Sequence, residues 1–185
     1  MAARAMRRTL DPKLDVVFKI LFAHPSNGPL LISLLDSVLE PSCPIAGVTV
    51  LNAGIPSEMA SDKAIVLDVH VELQDGRLID VEMQAAPHPA FAERALCYWA
   101  RMYASGLHRG EQYRELEPCV SILILDWNGL RAQRFHSTFE VREVHDHELF
   151  SDGLRIDVLE LGKLGRSEGD PPRLVRWGRF PELLT

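Results

Sequence analysis

The chain has 185 residues, 46% of them hydrophobic, and a formal net charge of -6. That length suits one domain with an enclosed core, and the apolar fraction excludes a disordered chain. The acidic balance argues against nucleic-acid binding through overall charge, which leaves only a local cationic or metal site for that purpose.

The opening MAARAMRRTL is basic but has no apolar stretch behind it. No run elsewhere approaches a membrane-spanning length, so a cytoplasmic location and no membrane partner are expected. Cys43, Cys97 and Cys119 form no CxxC pair. Cys97 and Cys119 fall inside apolar segments and read as buried thiols rather than zinc ligands.

In chain order, residues 1–10 read as a basic lead-in. Asp11 is expected to cap a helix with Pro12 in its first turn, through LDVVFKILF. HPSNGP interrupts it, and a second helix is predicted from Pro29 to Leu39, with Leu30, Leu31, Leu34, Leu35 and Val38 inward. GVTVLN reads as a short strand and AGIPSEMASDK as a polar loop.

The next segment, AIVLDVHVELQDGRLIDVEMQ, has the two-residue period of strands with one dry face. Leu67, Val69, Val71 and Leu73 alternate with Asp68, His70 and Glu72. Ile79, Val81 and Met83 alternate with Asp80, Glu82 and Gln84. A strict two-residue turn at Asp75-Gly76 would set Asp68 opposite Met83, a carboxylate against a core residue. A three-residue turn with Gly76 left-handed pairs Leu73 with Arg77 and brings Asp68 across from Glu82, so the bulged hairpin is expected.

Pro89 is placed at the start of a helix through AFAERALCYWARMYASGL, with Arg94, Tyr98 and Arg101 lined up on a polar side. CVSILILDW reads as a strand covered on both faces, and strand, helix and strand suggest a crossover. RFHSTFEVREV and LRIDVLEL are expected strands separated by DHELFSDG. LVRWGRFPELLT either starts a helix or lies over the surface.

Two facing carboxylates in a shielded cleft repel each other, and a hard divalent cation such as Mg2+ relieves that repulsion. Asp68 and Glu82 are the candidate pair. Gln84 shares the Glu82 strand face and could orient a water or donate to a phosphate oxygen, but it cannot act as a base. His70 and Glu72 read as exposed. On spacing alone, such a row usually means a solvated strand face.

The segments LDPKLDVVFKILF, LLISLLDSVL, ILDxxxxLxDGxxIDxEMQ and FxERALxYWARMYxxxLxxGExYxELxPxxSIxILD closely resemble, in this order, the Rpn family. These are recombination-promoting, transposase-like nucleases of the PD-(D/E)XK superfamily. The resemblance spans about Leu10 to Trp127. It implies an α/β restriction-endonuclease-like core, a mixed sheet flanked by helices with an acidic hairpin as active site. It also implies Mg2+-dependent DNA endonuclease activity, linked to recombination or mobile DNA. Asp68 and Glu82 match the superfamily's two acids and Gln84 its lysine position. The same resemblance points to Asp15 as a supporting acid and to the Met83 carbonyl as a further metal ligand. Relatives commonly run further, so residues 11–165 are expected to form the nuclease-like domain and 166–185 a short, truncated tail.

A glutamine at the lysine position removes a cation that Arg94 or Arg101 would have to replace. A non-catalytic DNA-binding or assembly module is therefore the alternative reading. Lys19, Arg94, Tyr98 and Arg101 are candidates for contact with DNA phosphate, whereas Phe18, Trp99 and Trp127 read as core or interface residues. HDHE at 145–148 lacks the spacing of a catalytic metal motif, and no phosphate-binding glycine loop supports a nucleotide cofactor. DNA is the expected partner, and a homodimer is plausible because cutting a duplex takes two cuts.

Overall fold

A computed structural model describes residues 11–51, 54–55, 65–66, 68–166 and 169–183. The basic lead-in, most of the AGIPSEMASDK segment and Leu67 lie outside the described residues.

The chain opens with α1 (Asp15–Phe22) and α2 (Gly28–Leu39), joined by a 3-10 turn at Pro25–Asn27. The strands β1 (Val48–Val50), β2 (Gly54–Ile55), β3 (Ile65–Val66), β4 (Val69–Leu73) and β5 (Leu78–Gln84) follow. Helix α3 (Phe91–Ser105) leads to β6 (Cys119–Leu125), β7 (His136–Arg142) and β8 (Leu149–Glu160), and α4 (Pro172–Gly178) and α5 (Phe180–Leu183) close the chain.

Six strands form one mixed sheet in the order β1-β4-β5-β6-β8-β7, and β2 pairs with β3 separately. β5, β6 and β8 are parallel neighbours, whereas β4 and β7 run antiparallel to theirs. The expected crossover is therefore real: β5, α3 and β6 form a parallel unit.

Two apolar layers hold the sheet. On one face Phe18, Phe22, Leu31, Leu34, Leu35 and Val38 pack against Val69, Val71, Ile79, Val81, Ile122 and Ile124. Leu174 and Phe180 join that cluster, so the segment after Gly165 packs on α1 and α2. The other face lies under α3, where Ala95 meets Leu123, Leu125, Ile156 and Val158, and Met102 meets Cys119. β6 is buried along its whole length, as its unbroken apolar run requires.

The hairpin has the bulged register. Val69 pairs with Val81, His70 with Asp80 and Val71 with Ile79, and the Leu73 N–H donates to the Arg77 carbonyl at 2.9 Å. Gly76 adopts φ +88°, and a Cβ there would sit 3.1 Å from Cγ of Glu117. Gly76→Ala should therefore cost about 1–2 kcal/mol in urea unfolding, through left-handed strain and this contact. An unchanged midpoint would show that the turn does not set the register.

Several local expectations change. α1 starts at Asp15, because Asp11 accepts from the Lys13 N–H and closes a separate turn ahead of the helix. α3 starts at Phe91, two residues beyond Pro89. Cys97 is exposed on the outward side of α3, and only Cys119 is a buried thiol, pushed up to about 12 by burial. His70, expected at the surface, is buried, whereas Glu72 is exposed. Residues 54–55, read as polar loop, pair as a strand with residues 65–66 near the start of the expected hairpin segment. β8 begins at Leu149, inside the segment read as a break.

Candidate active site

The hairpin register, carried one residue beyond Val69–Val81, sets Asp68 across from Glu82 where β4 gives way to a bend. Asp68 Oδ2 accepts the Met83 N–H at 3.2 Å, which ties the carboxylate to the end of β5. N–H and carbonyl of one strand residue point to the same side, so the Met83 carbonyl is also directed toward Asp68. Period-two alternation then puts Asp80, Glu82 and Gln84 in one row beneath α3.

That row is not solvated. Asp80 is 1%, Glu82 5% and Gln84 6% exposed. Arg94 and Tyr98 of α3 stand over the polar face of β5, and the consequences of its burial are electrostatic. Burial, then the nearby Asp68 charge, raises Glu82 from an ordinary glutamate value to about 7, with Arg94 opposing. Burial also raises Asp68, against the Met83 N–H and Lys19. Asp80 is raised well above the usual carboxylate range by burial and then by Glu82 and Asp68.

Cations enter from both helical layers. The Lys19 ammonium of α1 lies 2.8 Å from Asp15 Oδ1 and 3.2 Å from Asp68 Oδ1. Asp15 is held below its usual range, first by the Lys19 hydrogen bond. From the α3 side, Arg94 Nη2 stands 3.7 Å from Glu82 Oε2, with its guanidinium 5.8 Å from the Tyr98 ring centroid. Gln84 Nε2 donates to Glu82 Oε2 at 3.3 Å.

The structure thus brings together Asp68, Glu82, Gln84, Met83, Asp15, Lys19, Arg94 and Tyr98. Lys19 and Arg94 turn inward onto carboxylates. Arg101 lies seven residues further along α3, roughly 10 Å along the helix axis. Its neighbour Met102 packs on Cys119 at the opposite end of the parallel strands, so Arg101 is not brought to the centre. Trp99 donates to the Cys119 carbonyl at 3.0 Å and Trp127 packs edge-on to Phe91, which places both in the α3 layer.

Asp80 is a third buried acid to which the sequence reading gave no role, although its period-two relation to Glu82 marks it. The Asp157 cluster is the other omission. Burial pushes the Asp157 carboxyl up, but bonds from His136, Arg155 and Thr138 outweigh it and hold the group low. Arg155 also donates to the Val38 carbonyl at 3.3 Å, which ties β8 to the end of α2.

The donor set fits a hard cation. Asp68 faces Glu82 across the hairpin, and among the described residues Gln84 Oε1 and Asp80 Oδ1 are buried with no hydrogen-bond partner. Among the described residues no group of three or more His, Cys, Asp or Glu side chains is placed to hold a metal. A metal here would take Asp68 and Glu82 as its carboxylate ligands and would need the Met83 carbonyl, water and substrate oxygens to complete its shell.

Among the described residues no helix is long and apolar enough to cross a membrane. No curated protein and no solved structure matches the chain. The six-stranded mixed sheet between helical layers is the restriction-endonuclease-like arrangement, and a family model described as PD-(D/E)XK nuclease family transposase matches residues 12–180. The chain belongs to that family.

Proposed function

We propose that the chain is a DNA endonuclease that hydrolyses phosphodiester bonds with Mg2+ held by Asp68, Glu82 and the Met83 carbonyl. One observation carries the reading: Asp68 faces Glu82 across the hairpin, and burial together with the Asp68 charge raises Glu82 to about 7. A fold stores such repulsion where a cation is to be bound.

When bound, the ion supplies a more acidic water, a polarised phosphoryl oxygen and charge neutralisation at the transition state. The chain's own groups do the rest. Gln84 steadies Glu82 through its amide nitrogen and leaves Oε1 open to a water hydrogen. Lys19, supported by Asp15, and Arg94, stacked near Tyr98, stand on either side of the carboxylates. They replace the cation that a lysine at position 84 would have supplied. A duplex break calls for two copies of the chain, one per strand, whereas a nick calls for one.

The test is cleavage of supercoiled, linear and branched DNA with Mg2+. Wild type should cut, and Asp68→Ala should cut more than roughly a hundredfold slower while keeping its circular-dichroism spectrum. Equal cleavage by the variant would remove Asp68 from the chemistry. One observation favours a second reading: the Lys19 ammonium already sits on Asp68, and position 84 is neutral. A non-catalytic DNA-binding module would bind DNA yet cut none of the three forms.

A further inference from the structure

The charge of this chain is unevenly placed. Residues 164–180 carry four arginines against two Asp and Glu, in a chain with 20 basic and 26 acidic residues overall. The loop between β6 and β7 adds Arg131 and Arg134, both exposed and with no acid between Trp127 and Phe135. The β7–β8 end is the reverse, with five acids and one arginine between Glu140 and Asp152.

The basic region is also built next to the acid centre. A cavity of about 410 Å³ is lined by Lys13, Asp126, Leu161, Gly162, Leu164, Gly178, Arg179 and Pro181. Asp126 directly follows β6, and its N–H donates to the Gln84 carbonyl at 3.0 Å. The cavity therefore opens at the same end of the sheet as Glu82. One strand spacing and three residues separate Glu82 from Asp126, roughly 10 Å, or about three nucleotide rises along one DNA strand. Lys13 provides a second link, because it lies just ahead of the helix that carries Asp15 and Lys19 to Asp68. The partner of Lys13 is Asp126 at 2.8 Å, on the cavity wall.

Helix α4 is anchored so that its basic side faces out. Leu174 is fully buried and the Trp177 Nε1–H donates to the Ser33 carbonyl of α2 at 3.1 Å. Arg176 and Arg179 are exposed one turn apart at its end. Arg173, at its start, faces a different cavity, lined by the acids Asp36 and Glu40.

We infer that Lys13, Arg176 and Arg179 form a phosphate-tracking face that holds the DNA backbone flanking the bond presented to Asp68 and Glu82. The inference rests on the nuclease reading for its substrate. It adds which surface grips the duplex and gives the last twenty residues a task. Contacts of this kind position the duplex without reading sequence, so they are exposed, flexible and salt-sensitive.

The test is fluorescence anisotropy of a labelled 20-base-pair duplex with the full chain in EDTA, titrated with salt upward from about 50 mM. Arg176→Glu/Arg179→Glu should weaken binding by more than about tenfold and reduce the log–log salt slope by about two. Glu148→Lys/Asp152→Lys, at the acidic end, should leave the slope close to wild type. Asp68→Ala should still bind, which separates this inference from the nuclease reading. If it binds but no form of DNA is ever cut, the face stands and the catalytic reading falls. Unchanged affinity and slope in the double arginine variant, with unchanged circular dichroism, would overturn the inference. So would wild-type binding to single-stranded RNA with no binding to the duplex.

Discussion

Glu82→Gln is expected to abolish cleavage and, at the same time, to make the metal-free protein more stable at neutral pH. The glutamine keeps the shape and the hydrogen bonding to Gln84 but removes one of two buried charges. In the folded chain the Glu82 carboxyl sits at about 7, above its unfolded value of 4.5. A group raised on folding contributes stability that is complete below the unfolded value and is lost as the pH rises through the folded one. Between about pH 5 and 8 wild type should therefore lose stability that the variant keeps, about 1–3 kcal/mol.

Urea unfolding in EDTA checks this. The variant should gain over wild type at pH 8 and not at pH 5. Added Mg2+ should narrow the gap by stabilising wild type alone, because on the proposed reading the ion needs both carboxylates. A variant that is no more stable at pH 8 would mean that the two acids do not burden the fold.

The largest expected loss of stability lies elsewhere, at Lys163. Its ammonium is 2% exposed and donates to the carbonyls of Leu130 at 2.7 Å and Ala132 at 2.6 Å, and to Glu160 Oε2. Glu160, fully buried, uses its other oxygen to accept the N–H groups of Gly129 at 2.7 Å and Leu130 at 3.0 Å. One ion pair thus closes the loop between β6 and β7 through five charge-assisted contacts. Lys163→Met should cost about 3–5 kcal/mol, because it strands a buried carboxylate and two carbonyls. The double variant Lys163→Met/Glu160→Leu should recover part of that, because the stranded charge goes with it. Urea midpoints of both variants decide the matter. A single variant within about 1 kcal/mol of wild type would make this a surface pair in effect.

Parts of this fold were legible where local chemistry decides. Asp75-Gly76 and strict alternation on both sides left one register that put every alternating apolar residue of the hairpin on one face, and the structure has it. The unbroken apolar run of β6 announced a strand covered twice. The rest depends on contacts between segments far apart in sequence. Alternation shows that Asp80 and Glu82 share a face, but only the packing of α3 shows that the face is dry. Lys19 reaches Asp68 across 49 positions of chain, a proximity that no local pattern encodes. α4 spans seven residues, too few for a helical period to stand out, and what anchors it is Leu174 and Trp177 meeting the first helices. Glu160 and Lys163 look like an ordinary surface pair in sequence, and only the loop folding over them makes them interior.

The most direct measurement is the titration of wild type, Asp68→Ala and Glu82→Gln with Mg2+ by calorimetry in the absence of DNA. One ion per chain should bind wild type with release of protons near pH 7, and both variants should lose that binding. Mg2+ binding to the two variants with wild-type affinity would contradict the account, because no ion would then rest on these carboxylates.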